Sequence, residues 1–489
     1  MNRLYLLLVE SCFLLVLFAC SSSNETPASS SGEDDNNEGK SELYEWTSEE
    51  FITSVEAESG DLKKVFVSKE KEGYSGEGYL TGFWNSEAEV SIKVEVPEKA
   101  MYRLKLDYLA EGGNSHFLIV NGKAREAAKF TLPVSKVFGS RDMGKYLLNK
   151  GTNTITFKAE WGDVLIDRFS VYTASKNVYN IDTELVDANA NEQTRGLYRY
   201  LLDNFGKKII SGFLDGRSVE GVAGCRPALY GWDLYSYTEG YPWKWSNETG
   251  SHVFGAEDNG NVKAAIDWYK NTDGKGIVTL HWHWTSPKGG KPGTNTFYTE
   301  FTTFDVTKAV EAGTEEYQLI LRDIDAVAIQ LKRLEAAGVP VLWRPLHEAG
   351  GGWFWWGAKG PEACLKLYDI LFDRLNNYHG IHNLIWVWSS NEPDWYPGND
   401  KVDIIGYDSY PGNYNVGVQP YMFNDLYHLT NGRKIIAMTE NGPIPNPDAC
   451  LEQDAPWALF MSWGDLLYEQ NQLKHIIDVF HNSNVITVK

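Results

Sequence analysis

Residues 339–348 read VPVLWRPLHE, an apolar run that ends in the polar side chains of Arg344, His347 and Glu348. A short apolar run of this kind is typical of a strand that is buried on both faces, as the strands of a parallel sheet are. Seven other runs share the pattern and also end in polar or aromatic residues: KIISGFLDG (208–216), PALYGWDL (227–234), GIVTLHWHW (276–284), NLIWVWSSN (383–391), VDIIGYDSY (402–410), KIIAMTEN (434–441) and WALFMSWG (457–464).

Amphipathic segments separate several of these runs. Apolar side chains recur at helical spacing before two glycines: Ile320, Ile324, Val327, Leu331 and Leu334 before Gly338, and Leu365, Tyr368, Leu371, Phe372 and Leu375 before Gly380. Alternating strands and helices favour a parallel α/β sheet, and eight such units over about 310 residues predict a TIM barrel, (β/α)8, over residues 180–489. Because such barrels place their chemistry at the C-terminal strand ends, we expect the active site there.

In the chain before the predicted barrel, the apolar residues have a different spacing. Val90, Ile92, Val94 and Val96 alternate with polar residues, Tyr102, Leu104, Leu106 and Tyr108 do the same, and the turn signals NG and NKGTN stand between such runs. Alternation with a period of two predicts strands with one buried face. Residues 44–175 are therefore predicted to form an all-β sandwich of the jelly-roll type.

The N-terminal segment resembles an export signal. Residues 1–20, MNRLYLLLVESCFLLVLFAC, contain an apolar stretch that is short for a membrane span and end in a tetrapeptide similar to a bacterial lipobox. This predicts a lipoprotein signal peptide, a lipid anchor at Cys20 and a flexible polar linker over residues 21–43. Ser21 favours the outer membrane, on the periplasmic or the cell-surface face; an uncleaved anchor is the alternative.

Composition narrows the class of partner. A net charge of −21 argues against nucleic acid, which is bound by clustered Lys and Arg, whereas neutral polysaccharide remains open. The 18 Trp and 27 Tyr supply flat aromatic surfaces on which sugars stack, although most such residues pack in cores. Cys225, Cys364 and Cys450 show no CxxC spacing, so at most one disulfide and no zinc site is expected.

Two glutamates end runs that we expect to face each other across the barrel mouth. Glu348 closes the fourth run and Glu440 closes the seventh. Glycoside hydrolysis needs one protonated carboxyl group that donates to the leaving oxygen and one ionised carboxylate that attacks or activates water. The pair therefore indicates a glycoside hydrolase.

Three motifs carry a family resemblance: RPLHEAGGGWFWWG, WYPGNDKVDIIGYDSY and AMTENGPIPNPD. Together they resemble glycoside hydrolase family 26 over residues 195–489. The resemblance implies an endo-acting β-1,4-mannanase that retains anomeric configuration, with Glu348 as acid/base and Glu440 as nucleophile and no catalytic cofactor. It also implies a set of substrate-binding and orienting residues: His347, Trp353, Tyr410, His283, Trp282, Arg344 and Trp463.

Other strand-end acids are weaker candidates. Asn391 and Glu392 resemble the Asn-Glu pair of related retaining enzymes but follow the fifth strand, which is the wrong one for the acid/base. Asp215, Asp233 and Asp408 also end strands, where an Asp more often caps a loop or orients a substrate. We leave these three outside the predicted catalytic set.

The front domain carries a second resemblance. VEAESG, GYSGEGYLTGF, LNKGTNTITF and VLIDRFSVY are similar to carbohydrate-binding module family 35 over about residues 50–173. This implies a structural calcium ion held by Glu56, Glu58 and Asp167, since hard cations prefer oxygen ligands. Trp84 and Trp161 are candidate sugar contacts, with core packing as the equal alternative.

Three other functions stay open at this level. Loop shape could make the enzyme an exo-acting mannobiohydrolase, or direct it to xylan or mixed-linkage glucan, without changing either glutamate. A non-catalytic surface protein that only binds glycan is the rival from another class. We expect a monomer whose substrate is β-mannan.

Overall fold

The computed structural model describes residues 48–214, 219–390 and 392–488. The predicted signal peptide, the anchor at Cys20 and the linker over residues 21–43 lie outside the described residues, as do Asp215 and Asn391. Within the described part the chain forms an antiparallel β-domain followed by a closed parallel barrel. None of the helices in this part has both the length and the apolar character needed to cross a membrane.

The N-terminal domain is the predicted all-β sandwich. Its two antiparallel sheets have the strand orders β3-β4-β11-β6-β9, with β1 also paired to β11, and β2-β5-β10-β7-β8. Alternate residues of β5 from Val90 to Val96 are buried between the sheets, as the period of two predicts. The strands are β1 Phe51–Glu56, β2 Asp61–Lys63, β3 Phe66–Ser68, β4 Tyr79–Thr81, β5 Glu89–Val96, β6 Ala100–Leu109, β7 Ser115–Val120, β8 Ala128–Phe130, β9 Gly139–Leu148, β10 Gly151–Trp161 and β11 Leu165–Thr173.

The C-terminal domain confirms the predicted TIM barrel. Eight parallel strands run in the order β12-β14-β17-β18-β19-β20-β21-β22, and pairing of β12 with β22 closes the cylinder. These strands are the eight apolar runs of the sequence. The strands of this half are β12 Ile209–Leu214, β13 Arg226–Pro227, β14 Leu229–Asp233, β15 Lys244–Ser246, β16 Ser251–Val253, β17 Ile277–His281, β18 Val341–Arg344, β19 Leu384–Trp388, β20 Ile404–Ser409, β21 Ile435–Asn441, β22 Leu459–Ser462 and β23 Val485–Val488.

Helices cover the outside of the barrel. The longest, α5, buries the side chains from Ile320 to Leu334 that recur at helical spacing, and Thr314 caps its first turn by accepting from the Tyr317 amide. The helices are α1 Glu192–Asn204, α2 Glu220–Ala223, α3 Asn261–Asn271, α4 Val306–Ala309, α5 Glu315–Ala336, α6 Pro361–Asp373, α7 Pro420–Thr430, α8 Pro447–Glu452, α9 Leu466–Gln470 and α10 Leu473–His481. Cys225, Cys364 and Cys450 are free thiols.

The two domains pack directly against each other. Strand β9 lies on helix α7, where Arg141 donates to Asp425 at 2.6 Å and to the Tyr421 hydroxyl at 3.2 Å. Gly144, with φ +89°, stands so close to the Pro420 carbonyl that a Cβ would lie 2.7 Å from its oxygen. Buried polar contacts at such close approach hold the sandwich against the barrel.

Candidate active site

Glu348 and Glu440 come together at the C-terminal end of the barrel. Glu440 lies within β21, and Glu348 follows β18 on a backbone with two left-handed residues, Leu346 at φ 51° and Glu348 at φ 53°. Such conformations are costly for residues with a Cβ and concentrate at functional sites. One carboxylate oxygen from each of Glu348, Glu440 and Asp408 lies within 4.8 Å of the others.

Arg344 and Tyr410 hold the carboxylate of Glu440. The Tyr410 hydroxyl donates to Oε2 at 2.8 Å, and Arg344 Nη2 donates to Oε1. The other terminal nitrogen of Arg344 donates to Asp408 and to Ser389, each at 3.0 Å. Arg344 therefore contacts two carboxylates at once, as an orienting residue. The fully buried guanidinium bridges two carboxylates and is not exposed to a sugar.

Glu348 sits in a different environment from Glu440. Burial raises the pKa of Glu348 well above its ordinary value, and the nearby carboxylates of Glu440 and Asp408 raise it further. The indole Nε1 of Trp353 donates to Glu348 Oε2 at 3.0 Å and opposes this rise. A glutamate in these surroundings keeps its proton near neutral pH, as an acid catalyst must.

A chain of hydrogen bonds lies beside this pair. His283 Nε2 is 3.2 Å from His347 Nε2, and His283 Nδ1 is 2.6 Å from Asp233 Oδ2. The structure thus brings the two predicted site residues His283 and His347 together, and it adds Asp233 and His281, which the predicted set did not include. Residues 281 and 283 face the same way at the end of β17 because side chains alternate along a strand; LHWHW carries this signal.

The aromatic residues of the site divide into exposed and buried groups. Trp353 is 45% exposed, whereas Trp355 and Trp356 are fully buried and donate to the carbonyls of Trp284 and His347 at 2.6 and 3.0 Å. Trp463 is partly exposed, and its ring centroid lies 5.3 Å from that of His281. Only one of the three tryptophans that follow Glu348 is thus open to a ligand.

Trp282 does not line the site. Its side chain is 1% exposed and stacks on Trp284 with ring centroids 4.0 Å apart. Residue 282 points away from the barrel interior because residues 281 and 283 point toward it. The predicted contact of Trp282 with sugar is therefore wrong, and the indole belongs to the packing between strand and helices.

Glu392 stands apart from the carboxylate cluster. It follows β19 in an exposed position, with its carboxylate against Gly350. Among the described residues, the cluster that joins the two candidate catalytic groups consists of Glu348, Asp408 and Glu440. This arrangement favours Glu348 over Glu392 as the acid.

The three predicted calcium ligands converge on one loop of the sandwich. The Ser75 hydroxyl lies 2.7 Å from Glu56 Oε2 and 3.0 Å from Asp167 Oδ2, and the Glu77 amide donates to Glu58 Oε1 at 2.9 Å. The second oxygen of Glu58, Oε2, is buried and has no hydrogen-bond partner among the described residues. A buried carboxylate oxygen of this kind suits a hard cation as one ligand, while the three carboxyl groups do not all come within 4.8 Å of one another.

The two candidate sugar-binding tryptophans of the sandwich are both at its surface. Trp84 is 60% exposed and Trp161 is 39% exposed. Asp163, which follows Trp161 by two residues, has a carboxylate that accepts from the backbone of Trp84. The core-packing alternative therefore does not apply to either indole.

Comparisons with known proteins agree with this geometry. Residues 186–489 match the profile of glycosyl hydrolase family 26, and residues 53–174 match that of carbohydrate binding module family 35. A mannan endo-1,4-β-mannosidase of Thermothelomyces thermophilus is 39% identical over 451 residues, which cover 89% of this chain and 90% of the relative.

Solved structures give the same result. The crystal structure of the Podospora anserina GH26-CBM35 β-(1,4)-mannanase is 37% identical, with a TM-score of 0.61, over 89% of this chain and 97% of that chain. A β-mannanase from a symbiotic protist of the termite Reticulitermes speratus, complexed with gluco-manno-oligosaccharide, is 36% identical with a TM-score of 0.56, over 64% of this chain and 98% of that chain. From these matches and the site that accompanies them, the chain belongs to glycosyl hydrolase family 26.

Proposed function

We propose that the protein is a retaining, endo-acting β-1,4-mannanase that hydrolyses mannan, glucomannan or galactomannan. The observation that carries the proposal is the close approach of Glu348 and Glu440, within 4.8 Å, in environments that differ. Retaining glycosidases place their two carboxyl groups about 5 to 5.5 Å apart, so that one of them attacks the sugar directly. The mannanase names of the full-length relatives support the substrate.

In the first step Glu440 attacks the anomeric carbon of the bound sugar. The bond from that carbon to the glycosidic oxygen breaks as the bond to a Glu440 oxygen forms, and Glu348 gives its proton to the departing oxygen. Arg344 and Tyr410, which donate to the two oxygens of Glu440, orient the attacking group. The product is a covalent glycosyl ester and a shortened glycan.

In the second step Glu348 acts as a base. Its carboxylate takes a proton from a water molecule whose oxygen attacks the anomeric carbon, and the ester bond to Glu440 breaks. Glu348 is protonated again and Glu440 is released as a carboxylate. Two inversions at the same carbon give net retention. Trp353 is placed to stack a sugar ring beside Glu348 while its Nε1 contacts the acid.

The test is the time course of products from linear mannan and galactomannan. The wild-type protein should release oligosaccharides of mixed length from the start, whereas Glu348→Gln and Glu440→Gln should be nearly inactive. Glu392→Gln is the matched control, because it removes a carboxylate that also follows a barrel strand, and it should retain activity. A pure disaccharide from the start would establish exo action, cleavage of another β-glycan alone would overturn the substrate, and no cleavage of any glycan would favour a binding protein.

We further propose that Glu56, Glu58 and Asp167 hold a structural calcium ion. The buried Oε2 of Glu58 and the convergence of three carboxyl groups on residues 75–77 support the site. Calcium should raise the Tm of the protein and EDTA should lower it, with Glu58→Gln losing the response. An unchanged Tm in both conditions would contradict the proposal.

We also propose that the mature protein is a monomer attached by a lipid at Cys20 to the outer membrane. The lipobox-like tetrapeptide that ends at Cys20, the polar residues 21–43 and Ser21 support this location. Expression in a two-membrane bacterium with labelled palmitate should label the wild type and leave Cys20→Ser unlabelled. Label in neither protein would contradict the anchor, and light scattering of the chain from residue 44 checks the monomer.

A further inference from the structure

Asp233 is the last residue of β14, and both oxygens of its side chain have close nitrogen partners. Its Oδ1 accepts from the backbone amides of Tyr235 at 3.0 Å and His283 at 3.1 Å. Its Oδ2 lies 2.6 Å from His283 Nδ1 and 3.4 Å from His281 Nε2. The carboxylate thus has one oxygen fixed by two N–H donors and the other directed at the imidazoles.

The charge state of Asp233 follows from these partners. Burial alone would raise its pKa, but the two histidines that face it outweigh burial, and the pKa of Asp233 is lowered. An ionised carboxylate only accepts hydrogen bonds. His283 must therefore carry a proton on Nδ1.

That proton determines the next contact. If His283 also carried a proton on Nε2, His347 would have to accept it and keep its own proton on the buried Nδ1, where no acceptor lies among the described residues, so Nε2 of His283 is bare. The facing Nε2 of His347, 3.2 Å away, must then carry the proton and donate it, since two bare nitrogens would repel each other. His347 is left with a bare Nδ1, which is buried and has no hydrogen-bond partner among the described residues.

His347 connects this series of hydrogen bonds to the acid catalyst. It immediately precedes Glu348, and its ring packs against Phe354 and Trp356 on the loop that carries Trp353. Burial, with positive charge on Arg344 nearby, lowers the pKa of His347 well below its ordinary value. The ring of His347 is therefore neutral and adds no positive charge next to Glu348.

We propose that Asp233 is a positioning residue for the hydrolysis: through His283 it fixes the tautomer and orientation of His347, and thereby the position of Glu348. The inference rests on the proposed glycosidase function for its effect on rate. The tautomers themselves do not depend on that function.

Asp233→Asn tests the idea with almost no change in shape. Because two backbone amides point at the Oδ1 position, the amide oxygen of Asn must occupy it, and the NH2 group must face His283 Nδ1. An N–H donor there requires a bare Nδ1, so His283 takes its proton on Nε2. His283 then donates to His347, and the proton of His347 moves to Nδ1.

The measurement is the ¹⁵N spectrum of selectively labelled histidines, with the two resonances assigned through His283→Gln and His347→Gln. The wild type should show a protonated Nδ1 on His283 and a protonated Nε2 on His347, and Asp233→Asn should show both reversed. With manno-oligosaccharides, kcat/KM of Asp233→Asn should fall at least ~10-fold, because a wrong histidine tautomer costs more than that in other hydrolases. Asp267→Asn, on the surface of α3, is the control for loss of one charge.

Each outcome decides the proposal. A wild-type spectrum with the proton on Nε2 of His283 overturns it, even if Asp233→Asn does not fold. Reversed tautomers with an unchanged kcat/KM also overturn it, because the relay would then have no effect on the acid. If the wild type cleaves no mannan, the proposed function fails, while the spectrum still tests the tautomers.

Discussion

The indole of Trp353 donates to Oε2 of Glu348 across 3.0 Å while almost half of its surface is open. The group that contacts the acid is therefore also the group that a sugar ring would cover. A sugar stacked on this indole would exclude water from Glu348 and strengthen the electrostatic interactions around it. Sugar binding on Trp353 would therefore be linked to the protonation of the acid.

Trp353→Phe should move the alkaline limb of the kcat/KM profile to higher pH. The lost hydrogen bond stabilises the carboxylate form of Glu348, so its removal raises the pKa of Glu348 further. The first step needs protonated Glu348, and activity is lost as pH rises through that pKa. The optimum kcat/KM should fall about 10-fold from lost stacking and hydrogen bonding. Trp245→Phe, on strand β15, should leave the alkaline limb at the wild-type pH. An alkaline limb that moves to lower pH in Trp353→Phe would contradict the hydrogen bond between Trp353 and Glu348.

Asp408→Asn should move the same limb in the opposite direction. The carboxylate of Asp408 raises the pKa of Glu348 by like-charge repulsion, so its loss lowers that pKa and activity disappears at lower pH. Arg344 also loses one of its two carboxylate partners, and we expect kcat/KM to fall at least ~10-fold. The measurement is kcat/KM as a function of pH, from about pH 5 to about pH 10, for the variant and the wild type. An alkaline limb at the wild-type pH would show that Asp408 carries no charge in that pH range.

Trp282→Phe should act on stability and not on binding. The indole is buried against Trp284, and its Nε1 has no hydrogen-bond partner among the described residues, so Phe leaves a cavity without breaking a hydrogen bond. The free energy of unfolding should fall by about 1 to 3 kcal/mol with KM for mannan unchanged. Trp463→Phe, at the partly exposed indole beside His281, should instead raise KM or lower kcat. A raised KM in Trp282→Phe with unchanged stability would restore its predicted contact with sugar.

Lys145→Met should weaken the packing of the two domains. Lys145 Nζ pairs with Asp454, and the amide of Asn177 also donates to Asp454 at 2.7 Å, within a buried contact between β9 and the barrel. Removal of Lys145 leaves the buried charge of Asp454 without this partner. The free energy of unfolding, measured in urea, should fall by about 3 kcal/mol. The double variant Lys145→Met, Asp454→Asn should recover part of this loss, whereas Lys474→Met on the surface of α10 should change little. Equal stability of the single and double variants would contradict a desolvated pair.

The barrel was predictable because its buried parallel strands are apolar runs, and each run ends in the polar or aromatic residues of the C-terminal rim. Glu348 and Glu440 are 92 residues apart, and the barrel brings them together because both follow or end strands at one rim. The alternation in LHWHW held further information. It places His281 and His283 on the inner face and Trp282 and Trp284 on the outer face, which argues against Trp282 as a ligand contact.

Loop geometry explains what the sequence could not provide. In the stretch after Glu348, three tryptophans within four positions look alike, yet Trp353 alone of the three is exposed; the left-handed residues Leu346, Glu348 and Gly352, which direct the chain into this loop, follow no periodic pattern. The role of Asp233 depends on His283, which lies two residues beyond the end of the next strand. No periodicity in the sequence fixes that contact.

The most direct test is to trap the covalent intermediate. A 2-deoxy-2-fluoro-β-mannobiosyl fluoride should form a slowly hydrolysed ester, because the fluorine at carbon 2 disfavours both steps and fluoride leaves without help from an acid. Mass spectrometry of peptides from the inactivated protein should find the added sugar on Glu440 and on no other residue. Label on Glu348 or Glu392, or rapid turnover to an inverted product with no labelled peptide, would contradict the assignment of Glu440 as nucleophile and the double-displacement mechanism with it.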